Sequence, residues 1–353
     1  MSSRKQLIFH NVAPAILANA CVFLFSVVDG IFVGQGAGME ALGAVNLALP
    51  FVLIVQALNA MASIGGVTIT AIRFGGGDKS GAQNAFMHAL TINFLVGCLV
   101  TLVGCGLTGP VCRLLGATGN YYAMAKDYVF WWALFAMFNS VSLNLQSFCR
   151  NDGDPGLVAV TNVVITCLNI FLDWLFVFPM QKGVAGAAIA TGISQVVGLC
   201  VILTHFLRHK GELRFHKYKP QAKLYRKILV RGLPEAIAQF STPVTTFWMN
   251  QVLMAAYGNI GINAFSIISY LSSFTMSVFF GASEGVQPLF GQSYGAKDSE
   301  NLHAYYRAGQ IISVVGSALC VAVYVLFPEP LCTLFGADTE TAAFTAVHMW
   351  EYY

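Results

Sequence analysis

The sequence predicts an all-α polytopic membrane protein, built as two six-helix bundles. Two observations predict it. First, the 353 residues are 56% hydrophobic and only 10% charged. A soluble domain carries about 25% charged residues, so this chain has too much apolar surface to hide in a water-soluble core. Second, long apolar runs recur between short polar breaks. Only hydrogen-bonded helices satisfy the backbone in such runs within lipid, because unpaired strands would leave N–H and C=O groups bare.

The runs predict spans at 11–34, 42–72, 84–111, 122–149, 156–179, 184–208, 232–256, 263–292 and 303–327, with a tenth beginning near 340. The first follows Met1-Ser-Ser-Arg-Lys5 without a small-residue cleavage site and is read as a retained helix. With the N-terminus inside, only Arg113, Lys126 and Lys182 of the 19 Lys and Arg lie outside. That asymmetry predicts a multi-pass chain of the plasma (inner) membrane with a cytoplasmic N-terminus. The basic run Arg208–Arg231 after span six can also touch anionic lipid. The nine cysteines form no CxxC pair and read as packing residues. There is no GxxxxGK[ST], and no HExxH, GxSxG or redox pair stands out, so the chain reads as a non-enzyme without a cofactor. The small net charge of +3 gives no reason to invoke nucleic acid.

An internal repeat organises the chain. Pro110-Val-Cys-Arg-Leu-Leu-Gly-Ala117 matches Pro330-Leu-Cys-Thr-Leu-Phe-Gly-Ala337 at an offset of 220, and the same offset pairs Pro14 with Pro234, Gly65 with Gly285, Gly75 with Gly295 and Asp78 with Asp298. Six spans per copy give both copies one orientation, related by an axis along the membrane normal. The predicted parts are an N-lobe over 1–208, a basic linker over 209–226 and a partial C-lobe over 227–353. Tyr353 aligns with Ala133, inside the fourth helix of the first copy, so the second bundle reads as truncated and the chain as a piece of one about 90 residues longer.

Ionisable groups inside spans are costly and are functional candidates by default. Asp29 in span one and Asp173 in span five both fall in the outer half of the membrane. Asn169 lies one turn deeper than Asp173 on the same face, and Thr191 of span six reaches a similar depth. Two carboxylates, an amide and a hydroxyl make an oxygen-rich site that suits Na⁺ or a proton. A hydrogen-bond network that only locks helices together is the alternative. Gln146 and Arg150 close span four one turn apart, where Arg150 reads as a snorkelling side chain in a turn. Glu284 in span eight either lines a cavity or pairs with Arg307. Glu235, after Pro234, reads as a carboxylate at a helix N-terminus. His88 is expected at a helix start near the interface.

Four stretches taken together resemble the multidrug and toxic compound extrusion (MATE) family: Asp29-Gly-Ile-Phe-Val-Gly34, Arg150-Asn-Asp-Gly-Asp-Pro155, Asn169-Ile-Phe-Leu-Asp173 with Gly183–Thr191, and Gln287–Ala296. The resemblance implies twelve helices in two lobes that rock to give alternating access. It implies export of organic cations and amphipathic drugs, driven by Na⁺ or H⁺, by a protein read as a monomer in lipid. It assigns Asp29, Asn169, Asp173 and Thr191 to an N-lobe cation site, and Gln146 to a polar position near it. Gln146, Glu235 and Glu284 are the substrate or cavity candidates. A flippase for lipid-linked saccharides and a non-transporting receptor or scaffold are the alternatives; the first would need a basic cavity and the second no intramembrane acidic cluster.

Overall fold

The computed structural model describes residues 2–334 and 343–347, and every regular element among them is a helix. The elements are α1 (Ser2–Ala37), α2 (Met39–Gly75), α3 (Lys79–Gly106), α4 (Thr108–Leu114), α5 (Gly119–Leu134), α6 (Ala136–Asn151), α7 (Pro155–Val177), α8 (Gly183–Leu207), α9 (Ala222–Gly295), α10 (Ser299–Leu326) and α11 (Pro328–Leu334). Six of them are long and apolar enough to cross a membrane, and the bent pair α5–α6 makes a seventh. The tenth expected span falls mostly outside the described residues; of it, 343–347 are helical.

Four expected spans need correction. Span three ends early, at Gly106, and α4 follows after Leu107. Span four is not one helix, because α5 and α6 meet at a 51° bend at Phe135. No proline or glycine marks that bend. Thr101 instead donates its hydroxyl to the carbonyl of Ala133 at 2.8 Å, satisfying a backbone group that the break would orphan. Spans seven and eight are not separated by a loop, since both lie within α9, which is helical throughout. Its ends nonetheless lie on the same stretch of α2. A Cβ on Gly65 would meet the carbonyl of Ile228, and a Cβ on Gly75 that of Gln292. A straight helix would carry those two carbonyls about 96 Å apart, whereas ten residues of α2 span about 15 Å. The α9 chain therefore doubles back into two antiparallel limbs.

The seam between α2, α1 and α9 is lined by glycines, and its contacts are reciprocal at an offset of 220. Gly75 abuts Gln292, and Gly295 abuts Ile72. Gly65 abuts Gly232, and Gly285 abuts Val12. Reciprocal pairs of this kind are what a local two-fold axis produces. Only residues without a Cβ let two backbones approach so closely.

The linker after α8 is not a free tether. Leu213 is buried, with Phe86, Phe148 and Phe206, in a cluster at that end of the first bundle. His88 is fully buried and lies in the third turn of α3 rather than at its start. Its Nε2 accepts from the Gln221 N–H at 3.0 Å, so Nδ1 carries the proton and donates to the Asn84 carbonyl at 2.6 Å. The last five residues of the expected linker, 222–226, are already helix. Cys21, Cys98, Cys105, Cys112, Cys149, Cys167, Cys200 and Cys320 are free thiols.

Candidate cation-binding site

Helix α7 presents a polar stripe on one face: Asn162, Thr166, Asn169 and Asp173, at spacings of four, three and four residues. All four are buried, Asn169 and Asp173 completely. In a helix otherwise rich in Val, Ile, Leu and Phe, such a stripe forms only where neighbouring helices face it. Helices α1 and α8 do so, and Thr166 donates to the carbonyl of Cys21 in α1 at 3.2 Å.

At the far end of the stripe, the expected four residues come together. The carboxyls of Asp29 and Asp173 face one another within hydrogen-bond reach, with Asn169 beside Asp173. The Asn169 amide donates to the Thr191 hydroxyl of α8 at 3.5 Å. A hydrogen bond between two carboxyls needs a proton on one of them. As anions they have no donor, and Asp29 Oδ1, Asn169 Oδ1 and both Asp173 oxygens then stand buried without a partner. Four orphaned acceptors in one pocket are a strong departure from the rule that buried polar atoms are hydrogen-bonded. A proton or a hard cation is what such a set accepts. The buried Tyr128 of α5 lies close enough to interact electrostatically with both carboxyls. Sequence reasoning missed it, and a span already crowded with aromatics offered no signal.

The other candidates lie elsewhere. Gln146 accepts from Asn162 Nδ2 at 2.8 Å, at the opposite end of the stripe. Eleven residues, about 16 Å of helical rise, separate Asn162 from Asp173. Gln146 therefore joins the stripe without touching the carboxylates. Glu284 pairs with Arg150, not Arg307: Arg150 Nη1 lies 2.8 Å from Glu284 Oε2, and Asn19 Nδ2 donates to the same oxygen at 2.8 Å. Arg150 is accordingly buried rather than snorkelling. Glu235 is not at a helix start, since α9 begins at Ala222; it accepts from Gln239 at 3.4 Å. Gly281-Ala-Ser-Glu-Gly285 has the spelling of a nucleophile elbow, GxSxG, but lies inside α9 with both glycines against α1. The elbow needs a strand-to-helix turn, which this segment is not.

A second buried cluster was also not anticipated. Asn59 donates to Ser140 at 2.9 Å, and Asn93 and Asn144 both donate to Ser63, at 3.4 and 3.2 Å. It ties α2, α3 and α6 together and explains how polar residues are tolerated there.

Known proteins share this architecture. The chain is 25% identical over 333 residues to the multidrug export protein MepA of Staphylococcus saprophyticus, covering 93% of this chain and 73% of that one. It is 29% identical over 351 residues to the probable multidrug resistance protein NorM of Thermotoga maritima, covering 96% and 73%. A solved outward-facing multidrug resistance MATE family transporter superposes with a TM-score of 0.92 at 25% identity, over 98% of this chain and 78% of that one. The MatE family profile matches residues 14–175 and 234–350, so this multi-pass membrane protein belongs to the MatE family of multidrug efflux transporters.

Proposed function

We propose that the protein is a secondary-active antiporter that exports organic cations and amphipathic drugs in exchange for Na⁺ or H⁺. The observation that carries this reading is the set of four buried, donorless oxygens on Asp29, Asn169 and Asp173. Two carboxylates in a low-dielectric pocket share a proton or a cation rather than both stand as bare anions. Loading and release of that ion is the natural partner of drug binding, since a ligand shifts a two-state equilibrium only through its different affinity for the two states. Asp29 and Asp173 supply the charge. Asn169 and Thr191 supply neutral oxygens and hold the geometry. The excess of Lys and Arg at the linker end supports a plasma-membrane orientation with the N-terminus inside.

The test is transport of a fluorescent organic cation by the protein reconstituted in vesicles, with Na⁺ and pH gradients imposed separately. One gradient should drive uptake, and Asp173→Asn should abolish it with expression and folding intact. Equal transport by Asp173→Asn, or transport indifferent to both gradients, would refute the reading.

A further inference from the structure

The end of the first bundle that carries the linker holds a second cluster, far from the carboxylate pair. Cys149 lies in the last turns of α6, Asp152 caps that helix, Asp154 caps the start of α7, and His205 lies in the last turn of α8. Cys149 Sγ, a carboxylate oxygen of Asp154 and a ring nitrogen of His205 lie within 4.8 Å of one another. Asp173 is 19 residues farther along α7 than Asp154, about 28 Å of rise.

Two distances characterise the cluster. His205 Nδ1 is 3.4 Å from Asp154 Oδ2. That is long for a charge-assisted hydrogen bond, which runs at about 2.7–2.9 Å. It does match the edge, about 3.3–3.4 Å, between N and O ligands of a tetrahedral ion bound at about 2.0–2.1 Å. The other ring nitrogen, Nε2, is 3.0 Å from Asp152 Oδ2. A metal-bound histidine characteristically points its second nitrogen at a carboxylate in this way, which fixes the ring. Asp152 is itself held by the N–H groups of Glu212 at 2.9 Å and Leu213 at 3.1 Å. Asp154 uses Oδ1 to cap the Leu157 N–H at 3.1 Å, leaving Oδ2 to the cluster. Cys149 Sγ makes only a weak contact to the Asp154 carbonyl at 3.5 Å. Cys149 and His205 are buried, while the Asp154 side chain is 29% exposed and forms the way in.

We infer that Cys149, Asp154 and His205 bind a divalent ion of the Zn²⁺ class, with Asp152 orienting His205 from behind and a fourth position open to water. Thiolate, imidazole and carboxylate together select Zn²⁺ and its neighbours over Mg²⁺ and Ca²⁺. Binding releases the Cys149 thiol proton, and any proton on His205 Nδ1, to solvent. The bound ion joins the ends of α6, α7 and α8, and through Asp152 holds the linker at Glu212–Leu213.

The rival explanation is an imidazolium held between two aspartates with no metal. Chelator-treated protein in detergent, with the exposed Cys167 and Cys200 replaced by serine, separates them by titration with Zn²⁺ and with Co²⁺. One equivalent of Zn²⁺ should be retained per chain, and Co²⁺ should show a thiolate-to-metal charge-transfer band. Cys149→Ser should remove that band and weaken Zn²⁺ binding at least about tenfold, the low end of what loss of a metal-site residue costs. Asp152→Asn should keep the band and weaken affinity by about 10–100-fold. No band in the protein with Cys149 intact overturns the inference without relying on any variant's folding. So does Zn²⁺ retention unchanged by Cys149→Ser.

Discussion

Arg150 of α6 and Glu284 of α9 form an ion pair 2.8 Å long whose arginine is buried, with 8% of its side chain exposed against 28% for the glutamate. Asn19 of α1 holds the same carboxylate oxygen, so three helices from different parts of the chain meet at one charge pair. The inequality in burial predicts unequal costs. Removing Glu284 strands a buried guanidinium whose Nε already lacks a partner; removing Arg150 leaves a carboxylate that water reaches. Glu284→Gln should cost about 3–5 kcal/mol, the range for breaking a buried pair from one side. Arg150→Met should cost less, and the double variant less than the sum. Denaturant unfolding in detergent reads all three.

The glycine seam predicts matched effects at matched positions. A methyl on Gly75 would sit 1.8 Å from the Gln292 carbonyl, and one on Gly295 would sit 1.8 Å from that of Ile72. Backbone cannot step aside as a side-chain tip can. Gly75→Ala and Gly295→Ala should each destabilise the protein by about 1–3 kcal/mol or more. Gly30 has open space around its Cα, so Gly30→Ala should be neutral or stabilising by up to about 1 kcal/mol. Thermal unfolding of the three variants, side by side, checks the contrast.

Asp298 caps α10, accepting from the Asn301 N–H at 3.0 Å and from its side-chain amide at 2.6 Å. These donors, the backbone one foremost, hold its carboxyl below the usual carboxylate range. A lowered folded value means that the stabilisation is complete above the unfolded carboxylate value, about 3.9, and is lost as pH falls through the lower folded one. Asp298→Asn keeps an acceptor for the cap but has no proton to gain. Its helix content should therefore fall less steeply on acidification than that of the parent, as circular dichroism would show. Equal slopes would remove Asp298 from the acid response.

What sequence could reach follows the range of each interaction. Apolar run length and the positions of Asp29, Asn169, Asp173 and Thr191 within their spans are local facts, and these four residues do converge. The offset of 220 is a property of the string itself, and the reciprocal glycine contacts obey it. The Phe135 bend was not legible, because what surrounds it lies in other helices: the Phe135 ring packs where Gly192 of α8 has no side chain. For Glu284 the sequence offers a cavity lining or a pair with Arg307, 23 residues away, whereas the chain brings Arg150 from 134 residues away. His205 gave no sign of Asp152 and Asp154, since nothing in an apolar helix end announces which loop will cross it.

The glycine seam sits toward one end of α2, where a tilt of one bundle against the other would find its fulcrum. On α2 its contacts run from Met61 to Gly75, leaving the stretch from Met39 to Ala60 beyond the pivot. Those 22 residues form a lever arm about 33 Å long. A tilt of about 10° at the pivot, where atoms barely move, sweeps the far tip through about 6 Å. Backbones packed this closely fix one end of α2, so any such tilt would show chiefly at the other.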